Sequence, residues 1–162
     1  MMITGEALHE PPFYMYTVEV LGCYASGKTR GQARAVLVEM VTELVKRDSQ
    51  PMRDFEVTIT DDGETVYITS NNHARLMAAF LRYQRELHQL SLADVAAELG
   101  VKSRTSYTVY EQGKVEPTIS KLVELLAVVA PKLKLTVGTG GPSVRSVAPK
   151  ASRPSRARRR AA

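Results

Sequence analysis

The spacing of apolar positions changes period several times along this chain. Residues 13–21 (FYMYTVEVL) alternate in a run of aromatic and β-branched residues, the period-two signature of a strand. Over residues 30–47 the period lengthens. Ala33, Val36, Leu37, Met40, Val41, Leu44 and Val45 recur as on the broad buried face of a helix. Period two returns in 54–60 (DFEVTIT) and 65–69 (TVYIT), joined by Asp61-Asp62-Gly63-Glu64, a good hairpin turn. The order β–α–β–β predicts a small sheet with a helix on one face.

Beyond residue 71 the pattern is helical and repeatedly broken. Leu76, Met77, Phe80, Leu81 and Leu87 mark one amphipathic helix. Ser91 is placed to cap a second helix, with Val95, Ala96 and Leu99 inward and Gly100 ending it. Ser103 is placed to cap a third, with Tyr107 and Tyr110 inward and Gly113 as its stop. Pro117 and Thr118 open a fourth, faced by Leu122, Leu125, Leu126 and Val129, and LKLTV (133–137) reads as a short closing strand. The predicted fold class is therefore α+β: a β-α-β-β domain, an all-α domain and a tail. The boundaries read as a flexible N-terminus (1–12), the sheet domain (13–70), the helical domain (71–137) and a disordered tail (138–162).

Helices this short and this regular suit a module that fits one element into a DNA groove. Leu81-Arg82, Arg85, Leu90-Ser91, Val95-Ala96, Leu99-Gly100-Val101, Tyr110-Glu111, Gly113 and Pro117 fall in the order of the Cro/repressor-type (XRE) helix-turn-helix family. Residues 74–130 thus resemble that family. The resemblance implies a pair between Arg85 and Glu111, tying the first helix to the end of the third. It also implies that the third helix reads DNA, through Lys102, Ser103, Arg104, Thr105, Ser106, Thr108 and Lys114. Two departures stand out: one extra residue between Gly100 and Glu111, and apolar Leu92 and Val109 where the family often has polar contacts. Either the module reads thymine methyls and DNA shape, or part of this face serves a protein partner.

Charge divides the chain. The net +5 is the sum of −5 over residues 1–70, +3 over 71–137 and +7 over 138–162. The tail GTGGPSVRSVAPKASRPSRARRRAA has little to bury, so disorder is expected, with Arg153, Arg156, Arg158, Arg159 and Arg160 contacting phosphate.

Gly22-Cys23-Tyr24-Ala25-Ser26-Gly27-Lys28-Thr29 formally matches the phosphate-binding pattern G-x-x-x-x-G-K-[ST]. A nucleotide-binding enzyme built on it, with Asp61 or Asp62 at a magnesium site, is one alternative reading. It needs several parallel strands with crossover helices, for which the residues ahead of the helical domain leave little room. Thr29 and Gln32 also suit a capping box at the helix start. The same residues, Gly22, Cys23, Gly27 and Thr29 followed by a helix, resemble HicB-type antitoxins. That family has a further strand ahead of this one, where residues 1–12 here are polar. The resemblance implies a domain that neutralises a small RNA-cleaving toxin, joined to one that binds the operon's promoter.

Other chemistry is not indicated. His9, His73 and His88 lack metal-ligand spacing, and His88 is placed to cap carbonyls at a helix end. Cys23 reads as a small buried thiol; a lone cysteine excludes an intrachain disulfide and suits a reducing cytosol. No apolar run spans a bilayer, and the N-terminus does not read as a signal peptide. The expectation is a cytoplasmic, non-enzymatic, homodimeric repressor of double-stranded DNA without cofactor or metal, acting as a HicB-like antitoxin toward a small basic toxin. Non-specific nucleic-acid binding driven by the tail is the remaining alternative.

Overall fold

The computed structural model describes residues 1–46, 55–101 and 103–135. Five strands form one antiparallel sheet: β1 (Ile3–Glu10), β2 (Phe13–Val18), β3 (Cys23–Gly27), β4 (Val57–Asp61) and β5 (Thr65–Ser70), in the order β3-β2-β1-β5-β4. Helix α1 (Arg30–Lys46) packs on one face. Helices α2 (His73–Leu87), α3 (Leu92–Glu98), α4 (Thr105–Glu111) and α5 (Ile119–Val129) follow.

Several segments differ from the sequence reading. Residues 1–12 are not a flexible lead: Ile3–Glu10 is the central strand, paired with β2 from Glu6 to Glu10 and with β5 from Ile3 to Glu6. Its inward residues are Ile3, Gly5 and Ala7, and Gly5 lies against the Thr17 carbonyl, where a Cβ would find no room. A strand with so little apolar bulk carries almost no periodic signal. The strand from Phe13 also stops at Val18, and Glu19–Leu21 forms a 3-10 turn. The supposed phosphate loop is β3, paired with β2 from Val18↔Cys23 to Tyr14↔Gly27. As an extended edge strand it points successive N–H groups in opposite directions, one set into the ladder with β2, rather than converging them on a phosphate. A Cβ at Gly22 would overlap the Tyr83 ring, and one at Gly27 would collide with the start of α1. Both glycines are thus explained by packing, and the order becomes β-β-β-α-β-β.

Helix α1 starts where Thr29 Oγ1 accepts from the Gln32 N–H at 3.2 Å. Its buried stripe is Ala33, Leu37, Val41 and Val45, narrower than expected, with Val36 exposed. The β4–β5 turn is held by Asp62, whose Oδ1 accepts from the N–H groups of Glu64 and Thr65. Leu133–Leu135 is not a strand; Thr136 and Val137, like Lys102 and the whole basic tail, lie outside the described residues.

Under α1 the edge strand β4 is tied across the curved sheet to β2, and to α1 itself, by Asp61. Its carboxylate, 1% exposed, accepts from Tyr16 of β2 at 2.8 Å and from Arg34 at 2.6 Å, with Arg30 at 3.4 Å. Burial alone would raise its pKa. The hydrogen bonds from Arg34 and Tyr16 and the charges of Arg30 and Arg34 outweigh burial and hold it below the ordinary carboxylate value. A carboxylate held this way is no magnesium ligand in waiting.

We predict that Asp61→Asn destabilises the fold by about 1.5–3 kcal/mol at neutral pH, the scale of hydrogen bonds to a charged group. The native carboxyl pKa is depressed, so its contribution is complete above the unfolded value of about 4 and fades as pH falls through the folded one. Urea melts should therefore show the two proteins diverging at pH 7 and converging in acid. A constant gap across pH would refute the assignment.

Candidate nucleic-acid interface

Helix α2 begins at Asn72, whose side chain accepts from the Arg75 N–H, and runs through eight buried residues, including Leu76, Phe80 and Leu81. Leu87, expected inward, is exposed. At the C-terminus His88 Nδ1 lies 2.9 Å from the Gln84 carbonyl. Ser91 then caps α3 in a reciprocal box with Asp94. Gly100 (φ 65°) and Gly113 (φ 62°) end α3 and α4 in the left-handed region that only glycine enters freely. Thr118 caps α5 by accepting from the Lys121 N–H, and Leu122, Leu125, Leu126 and Val129 close the core.

Helix α4 spans roughly 10 Å at 1.5 Å per residue, too short to hold itself. A buried polar cluster fixes it. Arg85 Nε donates to Glu111 Oε1 at 2.7 Å and its Nη2 to Oε2 at 3.1 Å, while Nη1 donates to the Leu90 carbonyl at 2.9 Å. One guanidinium thus binds the end of α2, the turn into α3 and the end of α4. Tyr107, fully buried, donates its hydroxyl to Glu111 Oε1 at 2.6 Å. Burial, then the Glu111 charge, pushes that hydroxyl up, so it stays a donor. Sequence reasoning took Tyr107 for apolar core alone. The signal was its i,i+4 spacing to Glu111, which puts both on one helix face.

With α4 clamped from inside, its start faces solvent. Ser103, Arg104, Thr105 and Ser106 form an exposed row. Ser103 Oγ accepts from the Thr105 N–H, while Arg104 borders a shallow depression with Ala93 and Ala97 of α3. Thr108 is half-buried and its hydroxyl donates back to the Arg104 carbonyl at 2.9 Å, so its donor is already used. Lys114 is exposed, but past Gly113, at the far end of α4 from Arg104. Leu92 and Val109 are half-buried, and Leu92 packs against the core.

Residues 81–129 match the helix-turn-helix family model. The matched span runs from the second half of α2 through α5, and the sheet lies outside it. No curated protein and no solved structure matches the chain. Among the described residues, no helix is long and apolar enough to cross a membrane, and no three His, Cys, Asp or Glu side chains group as metal ligands. Cys23 is buried, with its thiol pushed up to about 11 by burial.

We predict a graded loss of stability in this cluster. Glu111→Ala takes the buried carboxylate from the Arg85 guanidinium, 14% exposed, and should cost about 3–5 kcal/mol. Tyr107→Phe removes one charge-assisted bond and should cost about 1.5–3 kcal/mol. Chemical denaturation giving equal losses, or none, would show that the cluster does not hold α4.

Proposed function

We propose that this protein is a sequence-specific repressor that binds its operator as a homodimer, and that it is the HicB-like antitoxin of a type II toxin–antitoxin pair. The observation that carries the DNA reading is the exposed row Ser103–Ser106 on a helix clamped from behind by Arg85, Glu111 and Tyr107. Arg104 is its only cation, able to take a guanine edge or a phosphate. Thr105 and Ser106 add hydroxyls beside it, and Lys114 a second cation beyond the far end of α4. The half-buried Leu92 and Val109 leave shape and methyl contacts to supply part of the specificity. Two copies are expected because such modules read half-sites one helical turn apart.

Residues 81–129 hold six cations and six carboxylates, so the module itself has little net attraction for a polyanion. The seven cations of 138–162, Arg153, Arg156, Arg158, Arg159 and Arg160 among them, make up for this by phosphate contacts. The antitoxin half of the proposal is supported by order and charge. A strand stands ahead of β2, as the HicB pattern has it, and the Gly22–Thr29 stretch leads into a helix. Residues 1–70 are acidic, which favours encounter with a basic toxin.

The test begins with selection of bound sequences from a random duplex pool. On the selected site Arg104→Ala should weaken binding by about 1–3 kcal/mol and relax one base position. Removing residues 138–162 should lower the slope of log affinity against log salt by about 2–4. An unenriched pool defeats the repressor reading. The antitoxin reading has its own check: a small basic protein encoded beside this chain should arrest growth alone and not when both are made. Arrest in both cases, or in neither, defeats that half and leaves the first intact.

A further inference from the structure

The pleat gives the sheet two unlike faces. The inner one is covered by α1. The outer one carries Leu8 (47% exposed), Phe13 (44%) and Tyr24 (62%), with Met15 half-buried among them. These positions are contiguous in register: Leu8 pairs with Met15, Phe13 with Glu10, and Tyr24 with Thr17. Carboxylates frame them. Glu6 and Glu10 flank Leu8 on the same face of β1, and Asp62 is fixed beside the sheet by the Tyr67 hydroxyl at 2.7 Å. None of the five strands contains a lysine or an arginine. The open face is therefore apolar and acidic, with no cation contributed by its strands.

The chain itself supplies a counterpart. Leu133–Leu135, the last described residues, share a groove with Met1–Thr4. The chain therefore departs at the start of β1, the strand that carries Glu6, Leu8 and Glu10 across the open face. Residues 136–162 follow, with seven cations and no carboxylate side chain. Arg153 lies eighteen residues beyond Leu135, a reach of at most about 60 Å, against roughly 27 Å for an eight-residue strand.

We propose that residues 138–162 dock on the open face of the sheet when no DNA is bound. Guanidinium groups are the ligand this face fits, because they bind carboxylates in a planar fork and also lie over aromatic rings. Glu10 lies opposite Phe13, and Glu6 lies in register with Thr17 and then Tyr24, so the face offers both. Tethering holds the tail at an effective concentration on the order of millimolar, so individually weak contacts suffice. A second copy is a poorer occupant, since a two-fold pairing of this face brings two sets of like carboxylates together. The same arginines cannot serve phosphate and carboxylate at once. Docking therefore restrains the basic tail, and DNA releases it.

A nitroxide on Ser155→Cys tests this without DNA. Cys23 is buried and its thiol is held protonated, so the label goes to the new cysteine. In the full-length chain, labelled with nitrogen-15, amide signals of Glu6–Glu10, Phe13–Thr17 and Tyr24 should broaden at low salt. They should recover at about 1 M salt, where the Debye length is about 3 Å, and in the double variant Glu6→Gln, Glu10→Gln. Broadening elsewhere, or none, overturns the proposal. Broadening that survives when label and isotope are on different chains, mixed in equal amounts, assigns the face to another copy's tail and also overturns it. A second arm rests on the DNA reading. The double variant should bind a random-sequence duplex about 3- to 10-fold tighter in the full chain and no tighter in a chain lacking 138–162. An equal gain in both would mean that surface charge alone acts. Because the label needs no DNA, loss of DNA binding and loss of docking are told apart.

Discussion

Helix α2 has to be buried on two sides. Fifteen residues long, it has Leu76, Met77, Ala78, Ala79, Phe80 and Leu81 buried in succession, which no single apolar stripe explains. A helix buried this fully also carries polar side chains inward, and each described one has a destination. Arg82 donates to the Leu44 carbonyl of α1 at 2.9 Å, and Gln84 to the Val20 carbonyl beside β2 at 2.8 Å. Arg85 turns the other way, to Glu111 and Leu90. Successive side chains on one helix therefore tie the sheet to the reading module, and one hydrophobic cluster runs through both.

This seam sets the geometry of the interface. The position of α4 is inherited from α2 through the Arg85–Glu111 fork and the Tyr107 hydroxyl. Such a buried pair adds little net stability relative to apolar packing, but it is costly to break on one side only. Its effect is to fix one register of α4 against α2, which a seven-residue helix cannot select by its own propensity.

The helical half was readable from the sequence because each of its signals is local. Ser91 and Thr118 sit where a hydroxyl meets a free N–H, Gly100 and Gly113 where the chain must turn left-handed, and the leucines of α5 at helical spacing. The sheet half was less legible because its determinants are distant in sequence. β1 is a strand because Gly5 lets it lie against Thr17, and β3 because Val18 to Tyr14 offer it a ladder. Neither fact is visible in a short window. A glycine-rich stretch matched a phosphate-binding pattern, whereas one of its glycines faces Tyr83 and the other the start of α1. At the site, Tyr107 was read for its ring and not for its hydroxyl.

The double burial of α2 also bears on how long the protein acts. A protease that opens the sheet strips one wall from α2, and with it the support of the helix that faces DNA. The half that carries no recognition helix thus sets the working lifetime of the half that does. Changes in strand stability of one or two kcal/mol, far from any base, are enough to alter the steady-state amount of an intact protein several-fold. The amount of intact α4 presented to any partner is then governed by turnover as much as by local packing.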